Sequence, residues 1–248
     1  MLIVHQFALY LHIIIGAIAL IVFWGPVVTV KGSPQHRLWG KIFTWCMWLV
    51  SVSGIVMCLI VIYDPLAVRY PSQHIEQELG QQLVLKQRQL SEFLLMLSVL
   101  VLANIRHSSL VLKAKQHRER LKSWPHLLLI GLLAAVGGRV LYAALASGRT
   151  LYLIFSLIVL FTVATMLFYI FKPTLKPREW LLEHMSTILG AGIAVYTAFF
   201  AVGGRHSLAQ LLPGAWQLVP WLLPVVIGTL GILFYKKQLV SRQTRRCK

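Results

Sequence analysis

Seven long apolar segments dominate the sequence and limit what it can fold into. Each is close to the roughly 20 residues that a helix needs to cross the hydrocarbon core of a bilayer. With 58% hydrophobic and only 12% charged residues among 248, the chain is too apolar for a soluble domain. We predict an all-α membrane protein, a single transmembrane domain formed by a bundle of seven helices. The predicted spans cover approximately residues 4–30, 41–63, 90–111, 124–146, 151–171, 180–202 and 216–235.

The basic residues predict the orientation of the bundle. Eighteen of the 24 Lys and Arg residues lie in or beside the first, third and fifth connections and the C-terminal tail, where Lys41 and Arg106 are at or near the ends of predicted spans; five lie on the opposite side, and Arg139 lies deeper inside a span. Cytoplasmic loops hold the excess of Lys and Arg. We therefore expect the N-terminus outside, the C-terminus in the cytoplasm, and the long connection 64–89 as an outer loop, either solvated or with a short surface helix from about Ser72 to Lys86.

Topology also accounts for the formal net charge of +17. In a soluble protein this charge would suggest nucleic acid, but here the basic residues lie between apolar runs. The predicted partner is the lipid bilayer, with no nucleic acid and no identifiable protein partner. The first apolar run has no preceding Lys or Arg and no convincing cleavage site, so we interpret it as a retained helix and not as a signal peptide.

Three polar residues on the outer side form the first candidate site. Arg139 lies within the fourth span, where a charge costs about 2.5 kcal/mol or more, and His12 lies at a comparable depth in the first. Either Glu92, near the outer end of the third span, or Asp64 could neutralise the guanidinium. One interpretation is a pocket for an anionic or quinone-like ligand. The other is a structural ion pair or hydrogen bond.

Three histidines near the inner boundary form a second candidate group: His36, His107 and His184. One span, about 27 Å of helix, separates His36 from His12, so these two cannot share a site. A b-type haem needs two axial ligands at matched depth on facing helices, and His107 or His36 opposite His184 could meet that condition. Boundary histidines also commonly bond backbone carbonyls or headgroups. Glu183 lies at the start of the sixth helix, where the helix dipole favours an acid.

Motifs of soluble enzymes are missing from the sequence. It contains no phosphate-cradling glycine loop, no zinc-binding H-E-x-x-H, no nucleophile elbow and no paired catalytic carboxylates. We therefore predict no catalytic residues and no metal site, and we expect a non-enzymatic protein.

Three segments carry a resemblance to a known family. They are His12 followed by Gly16, the turn HRLWGKIF from His36, and EHMSTILGAGIAVYTAFF from Glu183. Together they resemble the bacterial multi-pass membrane proteins of the domain of unknown function 2306 group. The resemblance implies a bundle of seven or so helices in the bacterial cytoplasmic (inner) membrane, with no established activity. It carries over His12, His36 and His184 as matching positions.

Three functional hypotheses follow from these observations. The first is a protein that binds or moves a small ligand, proton or lipid through the outer polar pocket, with no cofactor. The second is a haem- or quinone-linked membrane redox protein of cytochrome b type, which would use haem b at the inner histidines. The third is an assembly factor or partner subunit of a membrane complex.

Overall fold

The computed structural model describes residues 1–71, 76–200, 212 and 214–246, and within them the regular structure is helical, without strands. Two short 3-10 helices, Arg118–Lys122 and Gly214–Leu218, accompany nine α-helices in these ranges. In chain order the α-helices are α1 (Leu2–Val22), α2 (Trp24–Val28), α3 (Pro34–Tyr63), α4 (Pro65–Arg69), α5 (Gln77–Ala114), α6 (Trp124–Ser147), α7 (Thr150–Phe171), α8 (Glu179–Ala198) and α9 (Val219–Arg246).

Six of the described helical segments are long and apolar enough to cross a membrane, which confirms the prediction of an all-α protein with several transmembrane helices. These segments are Leu2–Val28, Pro34–Tyr63, Gln77–Ala114, Trp124–Ser147, Thr150–Phe171 and Trp216–Phe234. The remaining predicted span corresponds to α8, where Glu183, His184 and Thr187 lower the mean hydropathy. Its predicted end at residue 202 lies outside the described residues.

The first span is interrupted at Phe23, where α1 ends and α2 begins. The cause lies three residues later, at Pro26. Proline has no N–H to donate to the carbonyl of Val22, and its ring clashes with that carbonyl in a regular helix. The backbone at Phe23 stays helical, with φ −51° and ψ −38°, so the interruption is a local loss of hydrogen bonding within one span.

The third span is longer than predicted at its N-terminal end. The helix begins at Gln77, whereas the sequence interpretation placed residues 64–89 in a loop, with a short surface helix as one alternative. Residues 77–89 contain Gln, Glu, Leu, Lys and Arg without proline, and these residue types favour helix. They extend α5 to 38 residues. The short helix α4 precedes it, and residues 72–75 lie outside the described residues.

The chain divides into two compact units. The first unit contains Met1–Ala103 and Lys122–Phe171, and in it α1 packs on α3 and α6 packs on α7. Its core includes Phe93 of α5, whose ring stacks on Tyr152 of α7 at a centroid distance of 4.5 Å. The second unit contains Asn104–Leu121 and Lys172–Lys248, and in it α8 packs on α9. Helix α5 thus contributes to both units.

Candidate functional site

In the first unit, α5 and α6 bring Glu92 and Arg139 together. Nη2 of Arg139 donates to Oε1 of Glu92 at 2.8 Å. The Arg139 side chain is 64% exposed and that of Glu92 is 20% exposed. Arg139 lies eight residues, about 12 Å, before the end of α6 at Ser147. The guanidinium therefore has an acidic partner within the chain, while most of the Arg139 side chain remains exposed at the protein surface.

His12 has a different set of neighbours. Its Nδ1 lies 3.0 Å from Oγ of Ser53 on α3, and Ser53 itself donates to the Leu49 carbonyl at 2.7 Å. The next residue of α3, Gly54, lies beside both His12 and Ser98, and a methyl group there would be 3.4 Å from Cε1 of His12 but only 2.6 Å from Oγ of Ser98. Within the described residues, the hydrogen bonds of His12 do not include Glu92 or Arg139.

His36 is engaged with the backbone at the end of α2. Its Nδ1 lies 3.0 Å from the Pro26 carbonyl oxygen. The Lys31 ammonium donates to the same oxygen at 2.6 Å and to the Val27 carbonyl at 2.7 Å. Ser33 then caps α3 by accepting from the His36 N–H. Basic side chains commonly satisfy the last carbonyls of a helix in this way, so His36 has a structural role in the turn.

In the second unit, α5 and α8 form a cluster of paired polar side chains. Nε2 of His107 lies 3.0 Å from Oε1 of Glu183. The next residue on each helix is also paired, because Oγ of Ser108 lies 2.7 Å from Nδ1 of His184. Oγ of Ser108 also lies within 3.2 Å of the His184 carbonyl oxygen. His107 and Ser108 are buried, with 0% and 1% exposure.

The helical spacing of the polar residues explains why these pairs form together. On α5, Asn104, His107 and Ser108 follow the i, i+3, i+4 pattern that places residues on one helix face. On α8 the corresponding stripe is Glu183, His184, Thr187 and Gly190. Gly190 lies opposite Asn104, because a methyl group there would be 3.7 Å from the amide nitrogen. Two polar stripes therefore face each other where α5 and α8 meet.

Sequence reasoning assigned His107 and His184 to one group but missed their hydrogen-bond partners, Glu183 and Ser108. Glu183 was explained by its position in the first turn of a helix, whereas the structure gives it His107 as a partner. Ser108 was not considered. The spacing N-x-x-H-S on α5 and E-H-x-x-T on α8 is the signal that could have identified both, since each places polar groups on one face of an otherwise apolar helix.

Comparison of the chain with known proteins gives no match. This holds for family models, for curated proteins and for solved structures.

The α5–α8 cluster does not fit a haem held between His107 and His184. Bis-histidine ligation requires a ring nitrogen of each imidazole to face the iron from opposite sides. Nε2 of His107 faces the Glu183 carboxylate, and Nδ1 of His184 faces Ser108. Each of these two ring nitrogens therefore has a side-chain partner and is not free to bind iron. Among the described residues, no group of three or more His, Cys, Asp or Glu could hold a metal ion.

A second set of polar contacts joins two connections of the second unit. The Arg118 guanidinium donates to the carbonyls of Lys172 and Pro173. Nζ of Lys172 donates to Oε1 of Glu179 at 2.5 Å, and the Lys176 N–H donates to Oε2 at 2.8 Å. Burial alone would raise the pKa of Glu179, but these hydrogen bonds and the two nearby ammonium groups hold it below its usual range. These hydrogen bonds therefore join the connection before α6 to the connection before α8.

Proposed function

We propose that this protein binds and passes protons inside a membrane through the contact between His107 and Glu183. The observation that carries the proposal is the 3.0 Å separation of Nε2 and Oε1, with the histidine side chain fully buried. Imidazole and carboxylate groups each bind or release a proton and act as general acids or bases at this distance. Ionisable groups in membrane helices are costly, and they mark proton relays and ion pathways.

The neighbouring pair supports the same proposal. Ser108 and His184 add a hydroxyl and a second imidazole, one residue along from His107 and Glu183 on the same two helices. A hydroxyl can accept a proton on one side while it donates on the other. Two protonatable pairs at one helix contact provide more than one position for a proton, which a relay needs and a single structural hydrogen bond does not.

The same proposal includes a seventh span and an orientation. Helix α8 has 20 residues, which corresponds to about 30 Å and matches the hydrocarbon core. With α8 counted, the basic connections alternate strictly, which supports an outer N-terminus and a cytoplasmic C-terminus. We place the protein in the bacterial cytoplasmic membrane and in the domain of unknown function 2306 group, on the resemblance of the three segments named above.

The outer residues support a ligand pocket less well. His12 is bonded to Ser53, while Arg139 is bonded to Glu92. Because no hydrogen bond in the described residues joins these two pairs, they do not form one polar group. The α5–α8 cluster, by contrast, brings four polar side chains into direct contact.

Proton flux into liposomes tests the proposal. The full-length protein is reconstituted with an entrapped pH-sensitive dye, and a potassium gradient with valinomycin drives proton entry. We expect the wild-type protein to acidify the lumen faster than protein-free liposomes do. The Glu183→Gln and His107→Gln variants should each lower the initial rate at least tenfold, because neither amide carries a transferable proton.

Glu92→Gln is the matched control for this experiment. It removes another carboxylate from α5, but from the first unit, and should leave the rate unchanged. A wild-type rate equal to that of empty liposomes would contradict the proposal. So would a Glu183→Gln rate equal to the wild-type rate.

A further inference from the structure

Arg106 has no partner within the described part of the chain. Its Nε atom is buried and makes no hydrogen bond there. The residue lies on α5, eight residues or about 12 Å before the helix ends at Ala114. A guanidinium at this depth is costly unless an anion or water satisfies it, and a buried donor without an acceptor adds to the cost. An acceptor other than the described residues is therefore expected.

Two further cations lie on the same side of α5. Lys113 follows Arg106 by seven residues, or about two turns, which places both on one helix face roughly 10 Å apart. Lys113 is exposed. Nη1 of Arg120 lies 3.5 Å from the Lys113 carbonyl oxygen, so the 3-10 helix after α5 brings a third cation to this end. Positive groups thus continue from inside the helix to beyond its end.

An apolar side chain lies beside these cations. Leu110 follows Arg106 by four residues and so lies on the same helix face. An acyl chain can lie along this leucine, while a phosphate bonds to guanidinium and ammonium groups. Phospholipid headgroups meet clusters of Lys and Arg at the ends of membrane helices.

We propose that Arg106, Lys113 and Arg120 bind the phosphate of an anionic phospholipid of the phosphatidylglycerol class. The lipid lies in the leaflet at the C-terminal end of α5. This site differs from the His107–Glu183 pair, because residue 107 is rotated by about 100° from residue 106 on the helix. It does not depend on proton transfer.

Native mass spectrometry of the detergent-purified full-length protein tests this proposal. The protein is titrated with phosphatidylglycerol and, separately, with phosphatidylcholine. We expect phosphatidylglycerol to remain bound at concentrations where phosphatidylcholine does not. Arg106→Gln should lower the fraction with bound phosphatidylglycerol at least fivefold, and Lys113→Gln should lower it two- to threefold. Lys86→Gln, an exposed lysine in the N-terminal part of α5, is the matched control and should bind as the wild type does.

Three results would overturn the proposal. They are equal binding of the two lipids, unchanged phosphatidylglycerol binding by Arg106→Gln, and full competition of the lipid by millimolar inorganic phosphate, which would indicate a free-phosphate site. If Arg106→Gln does not fold, the Lys113→Gln/Arg120→Gln double variant takes its place under the same criteria. Wild-type proton flux in the lipid-binding variants would separate this site from the α5–α8 cluster.

Discussion

Removal of either partner of the His107–Glu183 contact should weaken the packing of α5 on α8 by an amount that a double-mutant cycle can isolate. Hydrogen bonds to charged groups contribute about 1.5–3 kcal/mol in soluble proteins. Between membrane helices the coupling averages about 0.6 and reaches about 1.7 kcal/mol. Because His107 is fully buried and Glu183 is only 19% exposed, we expect a coupling near the upper membrane value, about 1.5 kcal/mol, or roughly tenfold in the unfolding equilibrium.

The cycle requires the wild-type protein, His107→Ala, Glu183→Ala and the double variant. Reversible unfolding by sodium dodecyl sulfate in mixed micelles, followed by tryptophan fluorescence, gives the four free energies of unfolding. The pair formed by Lys172 and Glu179 is the control. It joins Lys172, in the connection before α8, to the first residue of that helix, and its side chains are 21% and 22% exposed; a partly exposed ion pair contributes about 0.2–1 kcal/mol. A His107–Glu183 coupling below about 0.3 kcal/mol, with all four proteins folded, would refute the assignment of this contact as a strong buried pair.

Two further changes test other parts of the fold. Gly54→Ala should lower the unfolding temperature, since the methyl group would lie 2.6 Å from Oγ of Ser98. Adding Ser98→Ala should restore most of the lost unfolding temperature. Gly16→Ala is the control, because a methyl group there meets nothing within 4 Å, and it should stabilise the helix by about 0.5–1 kcal/mol. The pKa of Glu179 in the folded protein is below its unfolded value, because Lys172 stabilises the carboxylate against the cost of burial. The ionised Glu179 therefore stabilises the fold at pH values above the ordinary carboxyl range. This stabilisation is lost as the pH falls through the depressed pKa. Unfolding midpoints recorded from neutral to acid pH should show that loss in the wild type and not in Glu179→Gln.

The helices themselves were largely predictable, because length and hydropathy within one segment determine whether it can span a bilayer. Pro26 likewise signalled the interruption of the first span, since the missing N–H is a local property. The N-terminal extension of α5 was missed because hydropathy reports membrane burial, whereas residues 77–89 are polar and helical.

The pairing in the second unit was harder to foresee. His107 and Glu183 are 76 residues apart, and whether they meet depends on how α5 and α8 are rotated about their axes. No local pattern determines that rotation. The polar stripe on each helix could be identified from the sequence, but its partner could not. The partner of Arg139 was likewise open between Glu92 and Asp64, and the structure shows Glu92; the bond between His12 and Ser53 was not foreseen.

The turn between α2 and α3 has a consequence for how the protein is made. The bond between His36 and the Pro26 carbonyl joins residues ten positions apart, and α3 then packs on α1. These contacts are complete once the third helix has been synthesised, and chains begin to fold from the N-terminus during synthesis. The first helical hairpin, formed by α1 and α2 with α3, can therefore insert co-translationally as a closed pair. It is then in the membrane before α5 and α8, with their polar cluster, have been synthesised.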